Sequence, residues 1–243
     1  MSLLVPPRRP SREALDEPDL PPDEMARSLE DLELVNRTLR SSRLLSRRLL
    51  SLAGEAGGSP QTILDVGAGS GGVARDLAAG LAREGWNARV MALDLQWRHL
   101  AAGRAWSNGR PLPAAAANVF SLPFPDRSVD WIISTLLMHH FSPEENIHLL
   151  RELRRVASRG LLLLDLRRNR VPLFCLWLAG RIAFKTRISI QDGVASIRQA
   201  FTLAEARAIA SRALPGAKVE RVLPFRLLVT ANDSRFPARV SSS

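Results

Sequence analysis

The sequence of 243 residues predicts an α/β domain with a mostly parallel sheet of about seven strands, an antiparallel last strand and helices on both faces. Short apolar runs alternate with helical patterns between residues 62 and 166, which is typical of parallel strands joined by helices. A glycine-rich segment follows the first of these strands directly. Two strand-like segments, 219–224 and 225–231, lie too close together for a helical crossover and therefore indicate an antiparallel pair.

Five apolar runs are the predicted parallel strands, and they span residues 62–67, 89–95, 114–119, 129–135 and 160–166. Helical patterns cover residues 72–83 and 97–106. This order of elements places the carboxyl ends of the strands at one edge of the sheet, where ligands bind in such folds.

Two capping boxes predict where later helices begin, because a hydroxyl residue is followed three positions later by glutamate. The first, Ser142 with Glu145, opens a helix that ends near residue 157. The second, Thr202 with Glu205, opens a helix that ends near residue 214.

The chain divides into four segments by composition. Residues 1–24 are rich in proline and charge, so we expect a disordered tail that is dispensable for folding. Leucines at helical spacing predict an N-terminal helical segment over residues 25–58. The main domain is expected over residues 59–232, followed by a flexible tail at 233–243.

Charge and cysteine content restrict the function classes. The net charge of +10 is compatible with a polyanionic partner, but nearly all the basic residues are arginine, which genome composition also favours. The single cysteine excludes an internal disulfide framework and fits a reducing compartment. Since we find no signal peptide and no apolar run of about 18 residues, we expect a cytoplasmic protein.

The segment LDVGAGSGG, residues 64–72, carries the first functional signal. A strand leads straight into glycines that permit a tight turn and close approach of a ligand, with the spacing GxGxG rather than the GxGxxG of nicotinamide enzymes. Asp94 ends the next strand, beside this turn, where a carboxylate can accept both ribose hydroxyls of an adenosine. Taken alone, Asp94 is equally well read as a solvated loop residue.

The segment NVFSLPFPD, residues 118–126, followed by Ser128-Val129-Asp130 and a strand, completes a recognisable order of motifs. With the glycine turn and the acidic second strand end, this order resembles the class I S-adenosylmethionine-dependent methyltransferases, and among them small-molecule enzymes of the ubiquinone-biosynthesis type. The resemblance covers about residues 62–166 and implies a Rossmann-like fold. It also implies S-adenosylmethionine as cofactor.

The resemblance implies a role for each cofactor-site position. The turn around the methionine and ribose would be formed by Asp65, Gly67, Ala68, Gly69 and Gly71. The ribose and adenine would meet residues at the next two strand ends, namely Asp94, Leu95, Asn118 and Val119. Asn118 stands where the family usually has aspartate, and its amide oxygen can accept the same bond from the adenine amino group. Ser134 ends the fourth strand, where backbone groups meet the methionine amino group.

Candidate catalytic residues follow the fourth and fifth strands. His139 or His140 is a candidate general base, although the pair is equally suited to packing under the cofactor. Asp165 is a candidate for orienting the substrate, and the arginines that follow it either hold an acidic group or form a solvated loop. No metal site is expected, because the histidines and the cysteine do not form a zinc pattern; they are His99, His139, His140, His148 and Cys175.

Residues 171–184 form an apolar segment inside a predicted lid or substrate insertion at 171–200. We expect a helix that covers an apolar substrate. A packed core helix and a helix lying on a membrane surface are the alternatives, and the segment is too short to span a bilayer.

These features predict methylation of a hydroxylated apolar small molecule, such as a phenolic, quinone or polyketide-like metabolite, most simply at oxygen. An RNA or protein methyltransferase is the first alternative because of the charge, although no NPPY-like motif follows the fourth strand. The second alternative is a non-catalytic protein that binds an adenosine ligand. Nucleic acid is not the expected partner, whereas peripheral membrane contact remains open.

Overall fold

The computed structural model describes residues 5–54, 60–107 and 111–232. Its strands are β1 (Gln61–Val66), β2 (Ala88–Asp94), β3 (Ala114–Ala116), β4 (Val129–Thr135), β5 (Ala157–Leu166), β6 (Lys218–Val222) and β7 (Arg226–Asn232). Its helices are α1 (Pro22–Thr38), α2 (Ser41–Ala53), α3 (Gly72–Arg83), α4 (Trp97–Ala105), α5 (Pro143–Val156), α6 (Arg170–Ala183), α7 (Arg187–Gln199) and α8 (Leu203–Ala213). Predicted features in residues 1–4, 55–59 and 233–243 lie outside the described residues.

One seven-stranded sheet has the order β3-β2-β1-β4-β5-β7-β6. Strands β1 to β5 are parallel to one another, and β7 runs antiparallel to both β5 and β6. The predicted α/β fold is confirmed. Strand order reverses between β1 and β4, which opens a crevice at the carboxyl edge of the sheet, the usual ligand position in folds of this type.

The two capping boxes form as predicted. The Ser142 hydroxyl accepts a hydrogen bond from the backbone N–H of Glu145 at 3.2 Å, and the Glu145 carboxylate accepts one from the Ser142 N–H at 2.7 Å. Thr202 and Glu205 repeat this exchange at the start of α8. Both helices therefore begin where local side-chain chemistry satisfies the free N–H groups of the first turn.

Two strands differ from their predicted lengths. Strand β3 ends at Ala116 rather than at residue 119, because the chain turns at Asn118, whose side-chain oxygen accepts a hydrogen bond from the Phe120 N–H at 2.9 Å. Strand β5 begins at Ala157, where the helix was expected to end, because its first residues already pair with the start of β4.

The hydrophobic core lies on both faces of the sheet. Side chains of α5 and α8 bury one face, and those of α2 and α3 bury the other. Leu45, Leu77, Leu149 and Leu153 are completely buried, and each contributes about 1.5–3 kcal/mol through removal from water.

The N-terminal segment, residues 5–21, differs from the expected disordered tail. Arg8 donates a hydrogen bond to the backbone oxygen of Gln199 at 2.6 Å and another to that of Phe141 at 2.9 Å. The side chain of Asp192 accepts hydrogen bonds from the backbone N–H groups of residues 14 and 15 at 2.8 and 2.9 Å. Helix α1 then begins at Pro22, three residues earlier than expected. Composition failed here because contacts with distant residues order the segment, both through these polar bonds and through Leu20, which is buried in a small apolar cluster with Met25 and Leu29.

Helices α6 and α7 form the predicted insertion between β5 and α8. Helix α6 covers most of the apolar segment 171–184 and packs against α7. Its Phe174, Trp177 and Leu178 side chains are more than half exposed. Within the described residues, no helix combines the length and apolar character needed to cross a membrane.

Candidate functional site

The glycine turn after β1 adopts a backbone that only glycine takes readily. Gly67, Gly69 and Gly71 have φ angles of +69°, +55° and +73°, in the left-handed region that disfavours side chains. A Cβ atom on Gly67 would lie 2.7 Å from a methyl carbon of Leu137. The turn is thus built to bring backbone close to a ligand, as its sequence predicts.

Helix α4 supports this turn from behind. The Gly103 backbone lies so close to the Ser70 carbonyl that an added Cβ would overlap the oxygen. One guanidinium nitrogen of Arg75 donates to the backbone oxygens of Ser70 at 2.7 Å and Gly103 at 3.2 Å. These contacts fix the outer side of the turn.

Asp94 lies at the end of β2, beside the turn. One of its carboxylate oxygens accepts a hydrogen bond from the Gly69 N–H at 2.7 Å, and the other accepts from the Gln96 N–H at 2.8 Å. Burial raises the pKa of Asp94, while these two N–H donors act against the rise. Each carboxylate oxygen can accept a further hydrogen bond, and Asp94 lines the cleft, so it is placed to accept ribose hydroxyls.

Asp65 is the most unusual acidic group of the site. It is 1 % exposed on β1, and neither carboxylate oxygen has a hydrogen-bond partner among the described residues. Burial, together with the nearby charge of Asp94, raises the pKa of Asp65 to about 8. Because Asp65 also lines the cleft, this arrangement favours a cationic ligand group that would restore the lost solvation.

The structure places the other predicted positions differently from one another. Leu95, Asn118 and Val119 line the cleft, as expected from the strand order. Ser134 is not a lining residue, because it is buried in β4 and its hydroxyl donates to the Val66 carbonyl at 2.7 Å. Thr135 takes its place in the lining, and its buried hydroxyl has no partner among the described residues.

The two histidines lie on a short 3-10 turn after β4, with stacked rings whose centroids are 4.4 Å apart. Nδ1 of His139 and a carboxylate oxygen of Asp165 are 2.7 Å apart, and the His139 N–H donates to the other oxygen at 3.1 Å. Asp165 does not line the cleft, so it orients His139 rather than a substrate.

Glu13 of the N-terminal segment completes this cluster. One carboxylate oxygen lies 3.5 Å from Nε2 of His139, and the other lies 3.9 Å from Nε2 of His140. Ser196 and Gln199 on α7 donate hydrogen bonds to Glu13. Sequence reasoning missed Glu13 because it lies in a segment whose composition indicates disorder.

The cluster is strongly polarised. Burial lowers the pKa of His139, but the charge and hydrogen bond of Asp165, with Glu13, outweigh it and raise the pKa to about 10. Burial and the positive charge of His139 lower the pKa of His140. Burial raises the pKa of Glu13, yet the hydrogen bond with His139 and the charges of both histidines bring it below its usual value.

Among the described residues, Glu13, His139 and His140 are the group whose nitrogen and oxygen atoms lie within 4.8 Å of one another, close enough to hold a metal ion. Sequence spacing gave no indication of it, since the carboxylate lies more than a hundred residues before the histidines.

Two adjoining cavities meet at this cluster. A cleft of about 470 Å³ contains the glycine turn, Asp94 and both histidines. A smaller cavity of about 150 Å³ is lined mainly by apolar side chains of α1, α6 and α7. The two share five lining residues, which are Glu13, Leu15, Leu32, Leu136 and Ser196.

The doubly wound sheet, the glycine turn and the carboxylate at the second strand end define the class of α/β proteins that bind an adenosine-containing cofactor. The cleft volume suits such a ligand. S-adenosylmethionine in particular has cationic groups that can pair with the unpartnered carboxylate of Asp65. The turn at Gly67 has no side chain, so it allows this ligand to approach the backbone closely.

Comparison with known proteins agrees with this class. A family model described as a methyltransferase domain matches residues 63–160. A SAM-dependent methyltransferase from Aquifex aeolicus is 22% identical, with a TM-score of 0.57, over 88% of this chain and 98% of that chain. No curated protein sequence matches the chain.

Two further solved structures share the fold. Human N-acetylserotonin methyltransferase in complex with SAM is 14% identical, with a TM-score of 0.63, over 87% of this chain and 56% of that chain. Magnesium protoporphyrin IX methyltransferase from Synechocystis PCC 6803, with bound SAH, is 16% identical, with a TM-score of 0.56, over 81% of this chain and 84% of that chain. The present chain therefore spans little more than half of the human protein.

The matched segment runs from β1 into β5 and includes the glycine turn, Asp94 and the histidine pair. The chain contains a methyltransferase domain over residues 63–160. It is a methyltransferase, and its cofactor is S-adenosylmethionine.

Proposed function

We propose that the protein methylates a hydroxyl group of an apolar small molecule, such as a phenolic, quinone or polyketide-like compound. The observation that carries the proposal is the apolar cavity that adjoins the cofactor cleft and shares Glu13 with it. A ring or chain in this cavity would bury apolar surface while its hydroxyl group faces the only charged part of the shared wall. The human and cyanobacterial relatives are named for small-molecule acceptors as well.

Bound S-adenosylmethionine supplies a methyl group that is already activated by the sulfonium. The chain therefore has to orient the acceptor and exclude water. In the proposal, His140 and Glu13 hold the acceptor hydroxyl, since both line the cleft. Asp165 is a positioning residue because it acts on His139 from outside the cleft.

The function is tested by incubating the purified protein with methyl-labelled S-adenosylmethionine and separate pools of apolar phenols, RNA and protein. We expect label in the organic extract as a methyl ether. Label in RNA or protein would contradict the proposal in favour of a macromolecular acceptor. Cofactor binding with no label in any pool would favour the non-catalytic alternative.

Val35→Phe is expected to raise the KM for an apolar acceptor about tenfold or more, because Val35 lines the apolar cavity but not the cofactor cleft. Affinity for S-adenosylhomocysteine should change less than twofold, an expectation checked by acceptor kinetics and calorimetry. Equal losses of acceptor and cofactor affinity would indicate general unfolding instead and contradict the assignment of the cavity.

Trp177→Ala is the matched control for that variant. The Trp177 side chain is 55% exposed and lines neither cavity, whereas Leu176 and Phe184 of the same segment line the apolar one. In buffer this variant should therefore keep the wild-type KM.

We further propose that the exposed face of α6 contacts a membrane surface. In that case Trp177→Ala weakens the binding of the protein to anionic vesicles. Equal sedimentation of the variant and the wild type with vesicles would contradict that contact.

A further inference from the structure

We propose that Glu13, His139 and His140 bind a divalent transition-metal ion of the Zn²⁺ class at the junction of the two cavities, and that this ion activates the acceptor hydroxyl. The inference rests on the proposed function for its chemistry but not for its test. It begins from the convergence of two imidazoles and one carboxylate, which is a ligand set that catalytic zinc sites use.

The orientation of the histidines supports ligation through Nε2. Nδ1 of His139 faces Asp165 at 2.7 Å, and Nδ1 of His140 faces Asp16 at 3.4 Å. In metal sites the second ring nitrogen of a ligating histidine almost always faces a carboxylate, a backbone carbonyl or water, which fixes the ring and increases its basicity. Here each ring has such a carboxylate, and each Nε2 is turned toward Glu13.

Glu13 is held in place independently of the histidines. Its Oε1 accepts hydrogen bonds from the Ser196 hydroxyl and from Nε2 of Gln199 at 2.8 Å. Oε2, which faces His140, receives neither of these two bonds and is the natural ligand atom. Nε2 of His140 lies 3.9 Å from Oε2, Nε2 of His139 lies 3.5 Å from Oε1, and the three residues offer ligand atoms within 4.8 Å of one another.

The surrounding charge and access suit a catalytic ion. The negative charges of Glu13, Asp16 and Asp165 would balance the two positive charges of the metal ion. On binding, the ion would displace the proton that His139 shares with Glu13. All three ligand residues line the cleft, and Glu13 also lines the apolar cavity, so a fourth position faces the acceptor. Imidazole nitrogens favour Zn²⁺ over Mg²⁺, which prefers oxygen ligands.

The ion would act as a Lewis acid on the acceptor oxygen. It lowers the pKa of the hydroxyl group, whose proton passes to water. The oxygen then forms a bond to the methyl carbon as the sulfur–methyl bond breaks, and the electron pair of that bond returns to sulfur. The products are the methyl ether and S-adenosylhomocysteine, with no change of oxidation state at the metal.

The test is a titration of the chelator-treated full chain with Co²⁺, read by the visible absorption of a Co²⁺ site with nitrogen and oxygen ligands. We expect one equivalent to bind to the wild type. Glu13→Gln and His140→Gln should each lower the affinity at least about tenfold, as should Asp165→Asn, which changes only the orienting carboxylate. His148→Gln is the matched control, because His148 is exposed on α5 and lies outside the cluster.

Binding of S-adenosylhomocysteine, measured on the same variants, shows that each remains folded. The metal site would be overturned if the wild type binds no Co²⁺, or if the folded variants of the proposed metal ligands bind Co²⁺ as well as the wild type does. The cluster would then be a hydrogen-bonded network of imidazoles and carboxylates. Stoichiometric binding that the variants lose would establish the site even if no apolar hydroxyl compound is methylated, so failure of the proposed function is recognised separately.

Discussion

Asp65→Asn is expected to raise the melting temperature of the ligand-free protein at pH 8 and above, while weakening the binding of S-adenosylhomocysteine. The pKa of Asp65 is raised from an ordinary value of 3.8 to about 8 by burial and by the charge of Asp94. A carboxyl group with a raised pKa in the folded state costs nothing below pH 4 and destabilises the fold progressively as the pH rises toward 8. Asparagine cannot ionise and escapes this cost.

The expected effect is large. Each pH unit between 4 and 8 removes up to about 1.4 kcal/mol of stability through this group. Recovery of even a third of the total corresponds to roughly 4–8 °C for a chain of this size. The loss of the carboxylate should also lower the affinity for S-adenosylhomocysteine about tenfold or more, because the cationic group of the ligand then has no buried anion to pair with.

Thermal melting from pH 5 to 9 and calorimetry measure both effects. Asp76→Asn is the control, since that carboxylate is 44% exposed on α3 and should leave the melting curve nearly unchanged. Melting temperatures of Asp65→Asn and wild type that differ equally at pH 5 and pH 9 would show that the ionisation of Asp65 is not the cause.

A chain that starts at Pro21 is expected to melt at least about 5 °C lower than the full chain and to lose most of its activity. The deletion removes the Arg8 guanidinium from the carbonyls of Gln199 and Phe141. It also removes Glu13 and leaves the buried side-chain amide of Gln199 without that acceptor, which costs about 1–3 kcal/mol. Because residues 13–16 form part of the wall of the cleft, water would also enter the reaction site.

The matched control is a chain that starts at Val5, which keeps every one of these contacts. Melting curves and turnover of the two truncated proteins should therefore separate clearly. Indistinguishable behaviour of the chain starting at Pro21 and the full chain would restore the expectation that the proline-rich segment is dispensable.

The features that sequence alone predicted are those that local chemistry decides. The glycine turn requires positive φ angles at Gly67, Gly69 and Gly71, and the capping box at Ser142 needs only its own four residues. The mostly parallel sheet and the edge position of Asp94 follow from the alternation of strands and helices.

What the sequence did not reveal depends on contacts between distant parts of the chain. Glu13 has functional neighbours only because the N-terminal segment crosses the sheet edge and is fastened to α7. Along β4, the Ser134 hydroxyl donates to the Val66 carbonyl, whereas the next residue, Thr135, lines the cleft. Alternation along a strand identifies two faces, and only the packed structure shows which face the cofactor meets.

The contact between α4 and the glycine turn has a consequence for how this protein tolerates sequence change. Gly103 is not among the residues that line the cleft, yet its backbone lies against the Ser70 carbonyl, and any side chain would displace the turn. If every residue is substituted in turn and activity is measured, substitutions at position 103 should abolish activity as often as substitutions in the glycine turn. More of the position-103 variants should remain folded than remain active. A residue that composition assigns to an ordinary helix thus sets the shape of the cofactor site from its far side.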